Sequence, residues 1–286
     1  EEYKKAATNA YEFLRDKLID EEFKDVYWMV DYLGNPIDTR KHIYCQSFAI
    51  YALSEYYKAT KNEEALNLAM ELFELIEGVG FNKENSAYLE EFDREWNITP
   101  NEMLSENGVI AEITTNTHLH VLEGYTTLYE ITKNEAVREK LKNLIYTFYN
   151  KIYDKENHFL KIFFDGNWNT IIDVKSYGHD IEASWLIDEA YKVLNLKDEA
   201  IEKMIIDIAY NIKSQIQEDG SLINESENGV KDYTRIWWVQ VEAMVGYLNA
   251  YERTHDEEFL KIVNNLMKYT MENMVDKREG GEWYWS

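Results

Sequence analysis

Two kinds of helical pattern alternate along the chain. The first is amphipathic: from Tyr3 to Ile19, Ala6, Ala10, Phe13, Leu14 and Leu18 fall on one stripe among charged residues. The second is apolar almost all round. The stretch from about Tyr44 to Thr60, with Phe48-Ala49-Ile50-Tyr51-Ala52-Leu53 at its centre, predicts a helix covered on most sides. Further apolar helices are predicted at about 114–132, 178–194 and 235–253, flanked by five charged amphipathic ones, of which the second runs from Ala65 to Ile76.

Each apolar helix passes to its amphipathic successor through the same short junction. Lys61-Asn62-Glu63-Glu64, Lys133-Asn134-Glu135-Ala136, Lys197-Asp198-Glu199-Ala200 and His255-Asp256-Glu257-Glu258 all set acidic residues in the first turn of the new helix, where they complement its dipole. Glu63, Glu135, Glu199 and Glu257 stand 72, 64 and 58 residues apart, the signature of a helical-hairpin repeat with variable insertions. The insertions fall at the other end of each hairpin. There the chain reads as aromatic and extended: Val26 to Tyr32 closed by the turn Leu33-Gly34-Asn35-Pro36, then Tyr88 to Trp96, His158 to Phe164 and Gly220 to Asn224. Long connections at one end and short ones at the other put the functional segments on one rim.

Such an alternation predicts an all-α fold of the α/α-toroid, six-hairpin barrel type, with inner helices parallel around a central cleft and one catalytic domain over residues 1–286. Nine helices are predicted where a closed six-hairpin toroid needs twelve. The chain stops at Gly281-Glu282-Trp283-Tyr284-Trp285-Ser286, an aromatic segment of the kind that precedes an inner helix, so the expectation is a domain incomplete at both ends.

Composition supports this picture and narrows the partners. With 45% hydrophobic residues, 12 Gly and 2 Pro, the chain has the apolar content for a sizeable core and few breakers between helices. The 22 Tyr and 8 Trp exceed what a core needs, and aromatic surface suits carbohydrate. A formal charge of -24 argues against nucleic acid and against an anionic membrane, both of which need clustered Lys and Arg. No run approaches the roughly 18 apolar residues of a membrane span, and Glu1-Glu2-Tyr3-Lys4-Lys5 does not read as a signal peptide. One cysteine, Cys45, allows no internal disulfide and fits a cytoplasmic location.

Candidate chemistry gathers at the starts of the apolar helices. The second offers Asn116 and His120, four apart on one face, while His118 points toward Leu122 and Tyr125 and reads as a core histidine. The third, opened by Ser176-Tyr177-Gly178, offers His179 and Glu182 one turn apart. The fourth puts Arg235, Trp238 and Glu242 on roughly one face, and the indoles of Trp237 and Trp238 make a platform for sugar C–H faces. The first contributes Lys41, His42 and Tyr44. A metal site built from His120, His179, Glu182 and Glu242 is the rival use. It fits less well, because the chain has no Cys cluster or His-Glu-x-x-His run. Gly-rich phosphate and dinucleotide loops and a nucleophile elbow are also missing.

Taken together these segments resemble the cellobiose 2-epimerases, within the N-acylglucosamine 2-epimerase superfamily. The matching pieces are Lys41-His42-Ile43-Tyr44, Leu104-Ser105-Glu106-Asn107-Gly108, Asn116 to Glu123, Ser176-Tyr177-Gly178-His179-Asp180-Ile181-Glu182-Ala183, Arg235 to Glu242 and Gly281-Glu282-Trp283. The resemblance implies cofactor-independent epimerisation at C2 of a reducing-end aldose, converting a β-1,4-linked glucose disaccharide into its mannose-ended epimer through a cis-enediolate. It implies His179 as one proton-transfer histidine, Glu182 and Glu242 as carboxylates around it, Asn116 and His120 at the ring-opening end, and Trp237 and Trp238 as the sugar platform. The family's arginine on its first inner helix and its second proton-transfer histidine have no counterpart here, so little activity is expected of these 286 residues alone. Mannose isomerase or acylglucosamine epimerase activity remains open at this point. So do a glycoside hydrolase using Glu182 and Glu242 as acid and base, and a non-catalytic sugar-binding module.

Overall fold

The repeated junctions form as capped breaks between helices. Lys61, Lys133 and His255 each adopt the left-handed conformation (φ 61, 51 and 57°) that stops an apolar helix, a position usually given to glycine. The next residue but one starts the amphipathic helix, and the side chain between them caps it. Asn62 accepts from the Ala65 N–H, Asn134 from Ala136, and Asp256 from Glu258. Asp198 does the same for Ala200, after a slightly longer junction.

The computed structural model describes residues 2–104 and 108–286. Among them are nine α-helices: α1 (Glu2–Phe13), α2 (Ile43–Thr60), α3 (Glu63–Leu75), α4 (Thr115–Thr132), α5 (Glu135–Thr147), α6 (Tyr177–Val193), α7 (Glu199–Ile212), α8 (Trp237–Thr254) and α9 (Glu257–Asn273). The expected apolar helices are α2, α4, α6 and α8, within two residues of their expected starts. Of the matching segment Leu104–Gly108, Ser105, Glu106 and Asn107 lie outside the described residues. No described helix is long and apolar enough to cross a membrane.

The chain divides into two compact units, Glu1–Leu144 with Phe163–Ile171, and Ile145–Ile162 with Ile172–Ser286. In the first, α4 lies against α2 so closely that a Cβ on Gly124 would stand 2.8 Å from the Ser47 carbonyl oxygen. In the second, α8 lies against α6 in the same way, and a Cβ on Gly246 would stand 2.7 Å from the Ile181 oxygen. Each glycine is the tenth residue of its helix and each oxygen belongs to the fifth residue of the other. Gly246→Ala is therefore expected to lower stability by about 1–3 kcal/mol through overpacking. Urea unfolding measures this, and an unchanged midpoint would refute the close crossing.

The first helix differs from its predicted stripe. Ala6 and Ala10 are exposed and Phe13 is 38% exposed, whereas Tyr11 is buried and its ring stacks on Tyr56 of α2 at 4.4 Å. The α-helix ends at Phe13 and passes into a π-helical turn, Leu14–Leu18, which breaks the 3.6-residue period on which the stripe was drawn. Comparable π-turns follow α3 (Ile76–Gly80) and α5 (Phe148–Ile152).

The long loops carry short antiparallel pairs, as their aromatic extended character predicts. Met29–Val30 pairs with Pro36–Asp38, Phe81–Asn82 with Ala87–Tyr88, and Tyr153–Asp154 with Phe159–Leu160. Two three-stranded sheets lead into apolar helices. Lys41–His42, Glu91–Phe92 and Ile98–Thr99 form the one before α2; Val174–Ser176, Glu225–Glu227 and Val230–Asp232 form the one before α6.

Candidate functional site

The four apolar helices use equivalent positions for equivalent tasks. The fourth residue of each holds the backbone of a rim loop. In α2 the Gln46 amide clamps Val26, accepting its N–H at 2.9 Å and donating to its carbonyl at 2.8 Å. In α8 Gln240 clamps Leu222 identically, at 2.8 Å for each bond. In α4 His118 Nε2 accepts the Tyr88 N–H at 3.1 Å while its Nδ1–H donates to the Thr114 carbonyl. In α6 Asp180 Oδ1 accepts the Leu160 N–H at 2.8 Å. His118 is thus the core histidine expected, and burial depresses its pKa to about 4.

Positions two and six lie four apart and share a face that the fourth residue does not occupy. They carry Tyr44 and Phe48 in α2, Asn116 and His120 in α4, Gly178 and Glu182 in α6, and Trp238 and Glu242 in α8. Of the eleven candidate residues named from sequence, six occupy these two positions, His179 stands at position three, and Lys41, His42 and Arg235 precede their helices. Trp237, the first residue of α8, is the remaining one.

In the first unit His120 sits in an aromatic corner. The Tyr44 ring meets its imidazole edge-on at 5.0 Å, Phe48 lies 4.5 Å away, and Glu123 Oε2 is 2.9 Å from Nδ1. Asn116 Oδ1 is shielded from solvent and makes no hydrogen bond among the described residues. Lys41 and His42 do not join them. Lys41 is fully buried with Asp20 and Asp25, because an ammonium inside the fold needs carboxylates around it. His42 is the N-cap of α2: its Nδ1 accepts the Tyr44 N–H at 3.2 Å, its Nε2 faces Asn101 Oδ1 at 3.2 Å, and burial holds its pKa down to about 4.

In the second unit His179 occupies the first turn of α6. Its ring lies on the Trp238 indole, with centroids 5.0 Å apart and planes at 55°, and its Nδ1 is 2.7 Å from the Ser176 hydroxyl. A Cβ on Gly178 would stand 2.6 Å from the Trp238 ring, so the bare glycine lets the indole reach the helix start. Glu182, one turn further on, is buried. Glu242 accepts the Trp185 indole N–H at 2.9 Å. Sequence reasoning gave no role to Ser176 or Trp185. The serine is legible as an N-cap type in front of a helix start, but its contact with a side chain is not.

Two expectations for α8 change. Arg235 precedes the helix, and its guanidinium turns to the Ser221 hydroxyl, the Tyr233 carbonyl and Asp219, so it does not share a face with Trp238 and Glu242. The two indoles also diverge, as consecutive helical residues do. Trp238 meets His179, whereas Trp237 lies 6.1 Å from Trp283 and donates its backbone N–H to the Trp285 carbonyl. Among the described residues no group of three or more His, Cys, Asp or Glu is disposed to hold a metal ion.

Asp180, between these groups, is buried, and burial pushes its pKa up to about 8 against the single bond from Leu160. The unfolded chain ionises this carboxyl near its ordinary value of about 3.9 while the folded chain keeps it protonated, so stability falls as pH rises from about 4 toward 8. Asp180→Asn keeps the acceptor for Leu160 and removes the titration. It is expected to raise stability by a few kcal/mol at pH 8 and by much less at pH 4, by the same linkage. Thermal unfolding at the two pH values tests the difference.

Comparison with known proteins places this geometry. The family described as N-acylglucosamine 2-epimerase (GlcNAc 2-epimerase) matches residues 1–286. A cellobiose 2-epimerase of Dictyoglomus turgidum is 47% identical over 287 residues, covering 100% of this chain and 73% of its own length. One from Ruminococcus albus is 46% identical over 280 residues, covering 97% of this chain and 72% of its own. The solved structure of cellobiose 2-epimerase from Bacillus thermoamylovorans superposes with a TM-score of 0.94 at 59% identity, covering 96% of this chain and 71% of that one. The fold class is accordingly the α/α-toroid class of those enzymes. On the family match along its whole length and on these identities, the chain belongs to the N-acylglucosamine 2-epimerase family.

Proposed function

We propose that the chain is a carbohydrate epimerase acting at C2 of the reducing-end glucose of a β-1,4-linked disaccharide, and that His179 is one of its proton-transfer groups. The observation that carries this reading is the His179 imidazole lying on the Trp238 indole at the start of α6. An indole face takes a sugar's C–H surface, so a sugar stacked there brings its carbon-bound protons beside the imidazole.

The chemistry follows from the open-chain aldose, whose C2 proton is acidic because the adjacent carbonyl delocalises the charge left behind. His179 takes that proton, leaving a cis-enediolate. The positive end of the α6 dipole, in whose first turn His179 stands, favours the negative charge that develops. Protonation of C2 on the opposite face by a second acid, the role the family resemblance gives to a histidine without a counterpart in these 286 residues, gives the mannose-ended epimer. Glu182 and Glu242 flank the histidine as carboxylates that hold sugar hydroxyls and steady its charge. Asn116, His120 and Tyr44 serve ring opening and substrate orientation, and Trp237 extends the aromatic surface on the side of Trp283.

Incubation with cellobiose in deuterated water, followed by NMR, tests the reading. Deuterium at C2 is expected, with a mannose-ended product where the full-length protein supplies the second proton-transfer group. Free glucose without exchange would instead assign Glu182 and Glu242 to hydrolysis, and binding without exchange or hydrolysis would make the chain a sugar-binding module. Exchange at C2 reports the first proton transfer by itself, so it does not depend on the second.

A further inference from the structure

Ser176 is the N-cap residue of α6, with extended backbone angles (φ -92°, ψ 103°), yet its side chain makes no capping hydrogen bond. All five other described α-helices preceded by a Ser, Thr, Asn or Asp use that side chain on their own backbone: Asn62 accepts from Ala65, Thr114 from Thr117, Asn134 from Ala136, Asp198 from Ala200 and Asp256 from Glu258. The Ser176 hydroxyl reaches the imidazole three residues on, at 2.7 Å from His179 Nδ1. The serine is buried and its backbone is fixed in the sheet, paired with Glu225, so the hydroxyl is presented from a rigid position. A residue type that stabilises helix starts has been diverted onto a candidate proton-transfer ring.

We propose that Ser176 is a positioning residue that holds the proton of His179 on Nδ1 and so keeps Nε2 as the atom that takes and returns the substrate proton. The proposal rests on the reading of His179 given above. Neutral imidazole has one N–H and one lone pair, and the partner of one nitrogen decides which atom is basic. Free histidine favours the proton on Nε2, which is the wrong form for a base acting through that atom. A hydroxyl can donate or accept; in the role proposed for Ser176 its oxygen accepts from Nδ1–H, and that reverses this preference. It serves both states of the cycle, because Nδ1–H persists when Nε2 is neutral and when it is protonated. Only one proton moves, from C2 to Nε2, and the Nδ1 proton stays in place throughout.

Ser176→Ala should therefore act on the ring and leave the helix alone, since no capping bond is lost. In the ¹⁵N-labelled protein, with His179 assigned by comparison with His179→Gln, Nδ1 is expected at a pyrrole-type shift and Nε2 at a pyridine-type shift. Ser176→Ala should move the ring toward the Nε2–H form without shifting the thermal midpoint. The rate of C2 exchange at saturating cellobiose should fall about tenfold to a hundredfold, the weight of one hydrogen bond to a group that becomes charged, with KM within about twofold by the same single-bond argument. Ser176→Thr, which keeps the hydroxyl, should restore both signals. Wild-type shifts already of the Nε2–H type, or shifts unchanged in Ser176→Ala, would overturn the proposal. If wild type shows the Nδ1–H form and Ser176→Ala loses it but neither exchanges C2, the positioning stands and the assigned reaction fails.

Discussion

Replacing His179 with alanine is expected to cut exchange at C2 by about a hundredfold to ten-thousandfold, the span over which a positioned acid-base group contributes. The ring is only partly buried, tilted at 55° to the Trp238 indole and 2.7 Å from the Ser176 hydroxyl. Its removal therefore costs little packing, and the thermal midpoint should stay within a few degrees. The fall should appear in kcat with KM little changed, because the lost interaction exists only while the proton is in flight. Glu242→Gln offers the contrast. Its carboxylate accepts the Trp185 indole N–H, a bond that the amide oxygen retains, so its effect should be smaller. Deuterium uptake at C2 measures both variants. His179→Ala retaining exchange within tenfold of wild type would remove the histidine from the chemistry.

Much of this architecture can be read from residue order because it is repeated. Four junctions of the type Lys-Asn-Glu, Lys-Asp-Glu or His-Asp-Glu mark four helix breaks, and the structure turns the first residue of three into a left-handed stop and the second residue of all four into a side-chain cap. Apolar helices covered on most sides announce themselves by the absence of a polar face, and α4 buries 13 of its 18 residues as that absence requires. The candidate residues were found for a related reason. Polar groups such as Asn116, His120, Glu182 and Glu242 conflict with the apolar pattern around them, and such conflicts mark function.

What escaped the reading depends on contacts between distant segments. Asp180 sits inside a polar motif and His118 reads as a core histidine, and only the positions of Leu160 and Tyr88 show that both anchor loops. Aligning the helices at their first residues would have hinted at it, since Gln46, His118, Asp180 and Gln240 then fall in one column. Periodicity does not locate a cap: α8 begins at Trp237, two residues later than expected, which leaves Arg235 off the helix face. The stripe drawn for the first helix fails before the π-turn at Leu14, because Ala6 and Ala10 are exposed and it is Tyr11, stacked on Tyr56, that is buried.

Lys41→Met should destabilise the protein by about 3–5 kcal/mol, since it leaves buried carboxylates without their cation. Lys41 and Asp25 are fully buried and Asp20 is 1% exposed. The ammonium contacts both carboxylates and lies over the Tyr27 ring at 4.4 Å. Asp20 keeps a second cation in Arg94, at 2.8 Å, and these ion pairs outweigh burial to hold its carboxyl well below the usual range. Asp25 has Lys41 and the Trp96 indole N–H, and burial prevails over both to raise its pKa. In the variant Asp25 therefore protonates rather than remain as a lone buried charge. A carboxyl whose folded pKa is raised further above its unfolded value loses stability as pH rises between the two, so the deficit of Lys41→Met should be smallest near pH 4 and grow toward pH 7. Urea unfolding at both pH values reads this, and Lys41→Met with Asp25→Asn should recover part of the loss at pH 7. A deficit independent of pH would mean that Lys41 contributes packing alone. The local consequence reaches the candidate site, because Lys41 adjoins His42, the cap of α2, and Tyr44 stands at the second position of that helix. A variant that loosens this start should weaken sugar binding through Tyr44 while the Ser176–His179 contact, held by other elements, persists.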